Sequence, residues 1–501
     1  MLRTDGRIRI DVSDNVNIFS IQRITGSHKL YLFAGFAQRD ITPPMGINHY
    51  QWGARKHDVA EGIENQLQVG ALYLETETDK SVIFDVDLIS FLDPELSTIQ
   101  GKILSEFDIP KEKVRISCTH SHSTPAWGQA ALDQYGVDAP GMAQVPAYTK
   151  RVLDQMLQAL AEAIQTRTKC HIAAGYGECE IAVNRRLPHE GKIITGPNLD
   201  AEADQVVTVV RFDDDSRNPF LCIVGVSAHP TVLGHTNRII SAEYPGRTKQ
   251  VVRELTGAPC MFLQGCAGDQ MTPDGFKDDL GLHARFGTLL GAEAATVFLN
   301  LQTVPGKRKL REVVKSNASL AIFEIAPEPD HAAELISVSR EIRLPVRRFG
   351  DHQDLLQKLE SLRSRLSKLI EIHADDAQIE QLRYEIRRTQ FYIHNQELIG
   401  GRDSLPCVIQ ITCIGDIALI GFPGEPFAKL GMEVREKSPF RITQLAGYSN
   451  GHNGYLPTAD EYDRGGYEID MACPYDRSAG QQLVREVLAL LHELHDARNS
   501  Q

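Results

Sequence analysis

The 501 residues contain no Cys-x-x-Cys pair, no long apolar run and no block of basic residues. Each absence removes a class of protein. Nine cysteines (Cys118, Cys170, Cys179, Cys222, Cys260, Cys266, Cys407, Cys413 and Cys473) lie at irregular spacing, an odd count that does not read as a disulfide framework. No stretch offers the roughly 20 apolar residues that cross a bilayer. Residues 1–27 mix charges with single apolar residues and form no apolar signal-peptide core. A net charge of −13 without a compensating Lys/Arg cluster argues against nucleic-acid binding. The expectation is a cytoplasmic protein with no transmembrane segment and no nucleic-acid partner.

What is present is an alternation of short β-branched runs with amphipathic stretches. The first thirty residues are polar and poorly periodic, and are expected to form an N-terminal arm over 1–30. Strands are expected at 69–75, 81–87, 114–118, 206–212, 221–226 and 260–263. A helix is expected over 148–166, with Val152, Met156, Leu157, Leu160 and Ile164 on one face. A second starts at Pro245, a favoured first-turn proline, and stops before Gly257. Further helices are expected over 282–299 and 480–494, the last with Ser478 as its cap. The mixture predicts an α/β (mixed α+β) fold, with mixed sheets flanked by helices.

One segment differs in kind. Leu355, Leu359, Leu362, Leu366 and Leu369 repeat at 4-3-4-3 spacing; Ile379, Leu382, Ile386 and Ile393 follow at nearly the same period. Residues 373–376 between them form a polar turn. The pattern predicts an antiparallel helical hairpin whose first arm extends about 27 Å. It divides the chain into a catalytic domain over 31–345 and 398–501 and an insertion over 346–397. The hairpin reads as a self-packed protrusion or as an arm for homo-oligomer or partner contacts through 351–397.

The polar residues of interest follow apolar strands. Val114–Cys118 leads into His120-Ser121-His122, 221–226 into His229, 260–264 into Asp269, and 417–422 into Glu425. In an open α/β sheet, residues at the carboxyl ends of strands converge on the binding crevice. His120 and His122 are two apart, so in extended backbone both imidazoles point the same way, which suits a zinc ion. The alternative is a loop in which Ser117, Ser121, Ser123 and Thr124 satisfy the histidines. Ser123-Thr124-Pro125 departs from the H-x-H-x-D-H of metallo-β-lactamases, and a TIM-barrel amidohydrolase places its H-x-H on the first strand. Gly447-Tyr448-Ser449-Asn450-Gly451 matches the G-x-S-x-G nucleophile elbow, but His452-Asn453-Gly454 breaks the helix which that elbow requires.

Together these motifs resemble the neutral/alkaline, non-lysosomal ceramidase family. Ala34–Pro44 resembles its G-x-x-x-x-D-I-T-P opening, Thr119-His120-Ser121-His122-Ser123 its T-H-T-H-S signature, and Asn184-Arg185 its asparagine–arginine pair. Ala228-His229-Pro230, Gly268-Asp269, Pro423-Gly424-Glu425 and the segment from Gly454 to Tyr462, followed by Tyr467-Glu468, match later motifs in the family's order. The resemblance implies a ceramidase-like catalytic domain with Zn2+ held by His120, His229, Glu425 and Tyr455. It also implies that His122, Arg185 and Tyr467 line the site. Metal-activated water would attack a carbonyl, His122 would be the acid for the leaving amine, and Arg185 or Tyr467 would stabilise the oxyanion.

Three departures shape the expected substrate. In the family's G-D-x-S-P loop the serine position falls here on Met271, unless Thr272 shifts into it. The chain leaves no room for a C-terminal immunoglobulin-like domain, and it carries the hairpin insertion. The expected activity is hydrolysis of an amide (N-acyl) bond in a small-molecule substrate smaller or more polar than ceramide. Ester, lactone or other acyl hydrolysis at the same site, and a non-catalytic binding scaffold, are the alternatives.

Overall fold

In a computed structural model the described residues are 31–49, 52, 54–55, 57–304, 306–327 and 334–499. The arm expected over 1–30 lies outside the described residues. Eight strands form one sheet in the order Cys260–Gln264, Pro219–Val226, Val206–Asp214, Thr168–Glu178, Phe33–Asp40, Gln68–Glu75, Lys80–Val86 and Val114–Cys118. The outermost pair on each side is parallel, and all pairings between are antiparallel. A second sheet orders Leu335–Pro345, Ser404–Ile414, Ile417–Gly421 and Ile442–Ala446, the last two parallel.

Parallel neighbours cannot be joined by a tight turn, so a helix crosses over each of the three parallel pairs. These helices are Glu95–Phe107, Glu243–Thr256 and Ala428–Lys437. The second begins two residues before Pro245 and closes on Gly257 in the left-handed conformation, a position that favours glycine. The helix Val145–Gln165 buries Val152, Met156 and Leu160, with Leu157 and Ile164 half-buried beside them. At the C-terminal helix, Ala479–Asn499, Ser478 stands just before the first helical residue and its carbonyl accepts from the Gln482 amide at 3.1 Å. The Ser478 hydroxyl donates to Asp476 at 2.9 Å, and the Ser478 amide donates to the same carboxylate.

Alternation along the strands sorts side chains into layers. Val82, Phe84 and Val86 meet the helices Glu95–Phe107 and Val145–Gln165, whereas Ile83 faces the second sheet. Val224 and Phe262 face the helices Glu243–Thr256 and Leu280–Asn300, whereas Ile223 and Leu263 meet Leu419 and Ile442 of the second sheet. The far side of that sheet is covered by Leu483, Val487 and Leu491 of the C-terminal helix. The result is four layers: helices, sheet, sheet, helices.

Helices His352–Glu371 and Asp376–Ile399 run antiparallel, with His352 at the start of one 3.9 Å from Glu397 near the end of the other. Asp351 caps the first by accepting from the Gln353 and Asp354 amides. Their inner ends, through Leu355, Leu359, Ile393 and Ile399, join the core beneath the second sheet. Among the described residues no helix is long and apolar enough to cross a membrane.

Candidate metal centre

The carboxyl ends of the parallel strands meet because the large sheet curls until its edges touch. The Phe262 amide, on one edge strand, donates to Asp85 next to the other edge at 3.0 Å. Lys249 spans Asp85 and Asp87 at 3.3 and 2.7 Å and holds the two edges together. His120 thus comes to lie beside His229, a hundred residues later, and Glu425 enters from the second sheet.

The backbone at His120 is not extended. It has φ +64, so the strand argument for the H-x-H pair fails at its first histidine. A left-handed residue after Cys118 turns the chain, and the His120 and His122 rings stand perpendicular, 89° apart, with centroids 4.9 Å apart. Such a conformation costs a non-glycine residue about 1–3 kcal/mol. It nevertheless brings Nε2 of His122 to 3.3 Å from Nε2 of His120.

Two carbonyls decide the tautomers. Nδ1 of His120 lies 2.6 Å from the Ile89 carbonyl, and Nδ1 of His229 lies 2.6 Å from that of Ala267. A carbonyl oxygen only accepts, so each Nδ1 carries the proton and each Nε2 offers a lone pair. Burial drives both imidazoles below their ordinary pKa, against the pull of Glu425, and keeps them neutral. Their Nε2 atoms face Oε2 of Glu425 at 3.8 and 3.0 Å, and among the described residues Nε2 of His229 has no hydrogen-bond partner. Lone pairs confronting a carboxylate with no proton between them repel unless a cation lies there. The donor nitrogens of His120, His122 and His229 all lie within 4.8 Å of one another, so the group is able to hold a metal ion. Histidines whose other nitrogen donates to a carbonyl are the usual form of metal-ligating imidazole.

Glu425 is itself held from behind. Tyr448 donates to Oε2 at 3.2 Å and His452 lies 2.7 Å from Oε1. Burial opposes ionisation of Glu425, but the hydrogen bond with His452 favours the charged form, and the carboxyl lies well below its usual range. Glu425 pairs in register with Tyr455 on the neighbouring strand, and the Glu425 amide donates to the carbonyl of Gly454 at 3.0 Å. Gly454 has φ +79, and a Cβ there would sit 2.4 Å from the Ala472 carbonyl oxygen, so only glycine fits. The Tyr455 ring stacks on His229 at 6.5 Å, and its hydroxyl accepts from Arg185 at 2.8 Å.

Arg185 is wholly enclosed. Its Nε donates to Glu468 at 2.9 Å, and Arg186 donates to the other oxygen of Glu468 at 2.8 Å. The guanidinium therefore bears on Tyr455 in an ion-paired frame. Tyr467 is 41% exposed, with its ring against Tyr455 at 5.8 Å and against Phe391 of the helical hairpin at 6.0 Å. Trp52 packs on His122 at 4.9 Å. All seven residues expected at the site thus gather in one neighbourhood.

Asp269 has a supporting role. It accepts from the Ala428 amide at 2.7 Å, at the start of a helix, and from Asn184 at 3.4 Å. Ser449 is buried against Ser117, and its hydroxyl donates to the Gly447 carbonyl, with no helix after it, so it is no nucleophile elbow. Met271, in the serine position, is buried and forms a bridge beside His229. Tyr448, His452 and Trp52 were not anticipated. Tyr448 follows the strand Ile442–Ala446 and so repeats the strand-end signal of the other four junctions; nothing in the sequence marks the other two.

No family model matches the chain. Neutral ceramidase A of Dictyostelium discoideum is 27% identical over 218 residues, 41% of this chain and 30% of that protein. Neutral ceramidase B of the same organism is 26% identical over 246 residues, 43% of this chain and 33% of that protein. The match spans about a third of the length of these curated relatives. Among solved structures, the neutral ceramidase from Pseudomonas aeruginosa superposes with a TM-score of 0.63 at 18% identity, covering 93% of this chain and 75% of that one. A ceramidase complexed with C2 gives 0.61 at 17% identity, covering 93% and 76%. These structures share the fold.

Proposed function

We propose that this chain, which carries the catalytic domain of the neutral ceramidase family, is a zinc-dependent hydrolase of amide (N-acyl) bonds. The observation that carries the reading is the pair of carbonyl-anchored histidines turning their bare Nε2 atoms toward one carboxylate. Imidazole nitrogens with a carboxylate suit zinc. His120, His229, Glu425 and Tyr455 would hold it, and bound there it would supply Lewis acidity and a water acidified toward neutral pH.

The chain's own groups do the rest. His122 is half-buried where His120 and His229 are buried, so it faces the substrate and moves a proton at Nε2 to the departing nitrogen. Arg185 sets the Tyr455 hydroxyl in place and puts positive charge near the carbonyl oxygen as negative charge develops on it. The exposed ring of Tyr467, with Trp52 on the side of His122, lines the approach for the acyl or amine portion. The substrate is a small acylated amine, smaller or more polar than a ceramide.

Matched amide and ester substrates test this, assayed on purified enzyme, after chelation and after zinc is restored. Amide hydrolysis should vanish with the metal and return with it, and His120→Ala should abolish it. A purified protein without stoichiometric zinc, or full activity in His120→Ala, sinks the proposal. A rate confined to the ester moves the activity to another acyl bond.

A further inference from the structure

Far from the metal centre, the strands Gly306–Val314 and Leu320–Pro327 pair antiparallel and belong to neither large sheet. What flanks them fixes where they leave the body. On one side Thr303 donates to Asp213 at 2.6 Å, beside the turn that enters the strand Pro219–Val226. On the other Leu335 pairs with Ile414, beside the turn that enters Ile417–Gly421. Both flanks therefore sit at the amino ends of strands whose carboxyl ends carry His229 and Glu425.

The cross-strand pairs Arg308↔Ile325, Leu310↔Phe323 and Val313↔Ala321 share one face. On it Leu310, Val313, Phe323 and Ile325 are 48, 52, 53 and 56% exposed. Among the described residues, the only element packed substantially against either strand is the other strand. A lone two-stranded hairpin is marginal in water, and its outer edges leave backbone groups without a ladder partner. Such an element gains its stability from what covers it.

We propose that this β-hairpin is an arm through which two copies of the chain associate, its apolar face lying on the body of the neighbouring copy. Charge identifies the occupant. The arm carries Lys307, Arg308, Lys309, Arg311 and Lys315 against Glu312 and Glu324, in a chain whose net charge is −13. A basic arm and an acidic body belong to the same molecule, so a second copy is electrostatically complementary to the first. Position argues in the same direction. A lipid surface docked on the arm would hold the metal centre at the opposite end of the sheets. Exchange of arms between two copies is self-complementary and closes at two.

Sedimentation equilibrium of the full chain at micromolar concentration should give twice 55.7 kDa, and added salt should weaken association several-fold. Leu310→Lys with Phe323→Lys should halve the mass while far-UV circular dichroism and metal content stay unchanged. Charge reversal by Lys309→Glu with Arg311→Glu should also halve it, and covers the case in which the first variant misfolds. A wild-type chain that stays monomeric at high micromolar concentration overturns the proposal, as does a folded lysine variant that remains dimeric. Monomeric wild type that floats with phosphatidylglycerol vesicles and not with phosphatidylcholine ones overturns it in favour of an anionic membrane.

Discussion

Replacing Tyr448 with phenylalanine removes one oxygen atom and leaves the ring, which lies 4.1 Å from the His120 ring and 5.9 Å from that of His229. The lost hydroxyl is one of two donors that orient Glu425. A hydrogen bond to a charged group contributes roughly 1.5–3 kcal/mol. If all of it serves to pre-orient the carboxylate as a ligand, zinc affinity falls by about 10- to 100-fold, the range for groups that support metal ligands. Folding stability of the metal-free protein should fall by no more than that amount, because His452 still anchors the other oxygen. The assay is competition for zinc between the stripped protein and a fluorescent chelator, with circular dichroism as the control for folding. An affinity within twofold of wild type, in a folded variant, would refute the claim that Tyr448 sets the geometry of Glu425.

Glu468→Gln removes the carboxylate shared by two buried arginines, and urea denaturation should show a loss of about 3 kcal/mol; a change under about 1 kcal/mol would mean that the pair is not held by Glu468. Gly454→Ala forces a Cβ against the Ala472 carbonyl at positive φ and should cost about 2–3 kcal/mol by the same measurement, with zinc binding weakened as Tyr455 shifts. Burial pushes the Asp269 carboxyl up from 3.8 to about 6, against the hydrogen bond from Ala428. A raised acid contributes stability that is full below pH 3.8 and lost as pH rises through about 6. Between those limits wild type should therefore lose about 3 kcal/mol relative to Asp269→Asn, read from paired denaturation curves; a constant gap across that window would show that the buried carboxyl does not titrate as the structure requires.

The layered α/β architecture was legible because burial writes itself into period. Alternation marked 69–75 and 81–87, and the 3.6-residue spacing of Val152, Met156 and Leu160 marked a helix packed on them. Strands such as Thr168–Glu178, with seven of its eleven residues only partly buried, carried no comparable signal. The leucine repeat announced a helical pair, and helices His352–Glu371 and Asp376–Ile399 meet as their spacing requires. It gave no sign that Phe391 would reach Tyr467, since a seam records only which helix faces its partner and not where the pair rests.

At the site, the sequence by itself determined which donor groups are available. Histidines and a glutamate placed just beyond apolar strands supply nitrogen and oxygen donors at one end of a sheet, whatever the angles. Tertiary structure decided what each group does. The left-handed turn at His120, the carbonyls of Ile89 and Ala267 that choose the tautomers, and Tyr448 and His452 behind Glu425 all depend on long-range contacts. Local periodicity reports the environment of a residue's own strand or helix. A donor cluster gathered from three distant strand ends depends on how the sheet curls, and curl is a property of the whole sheet.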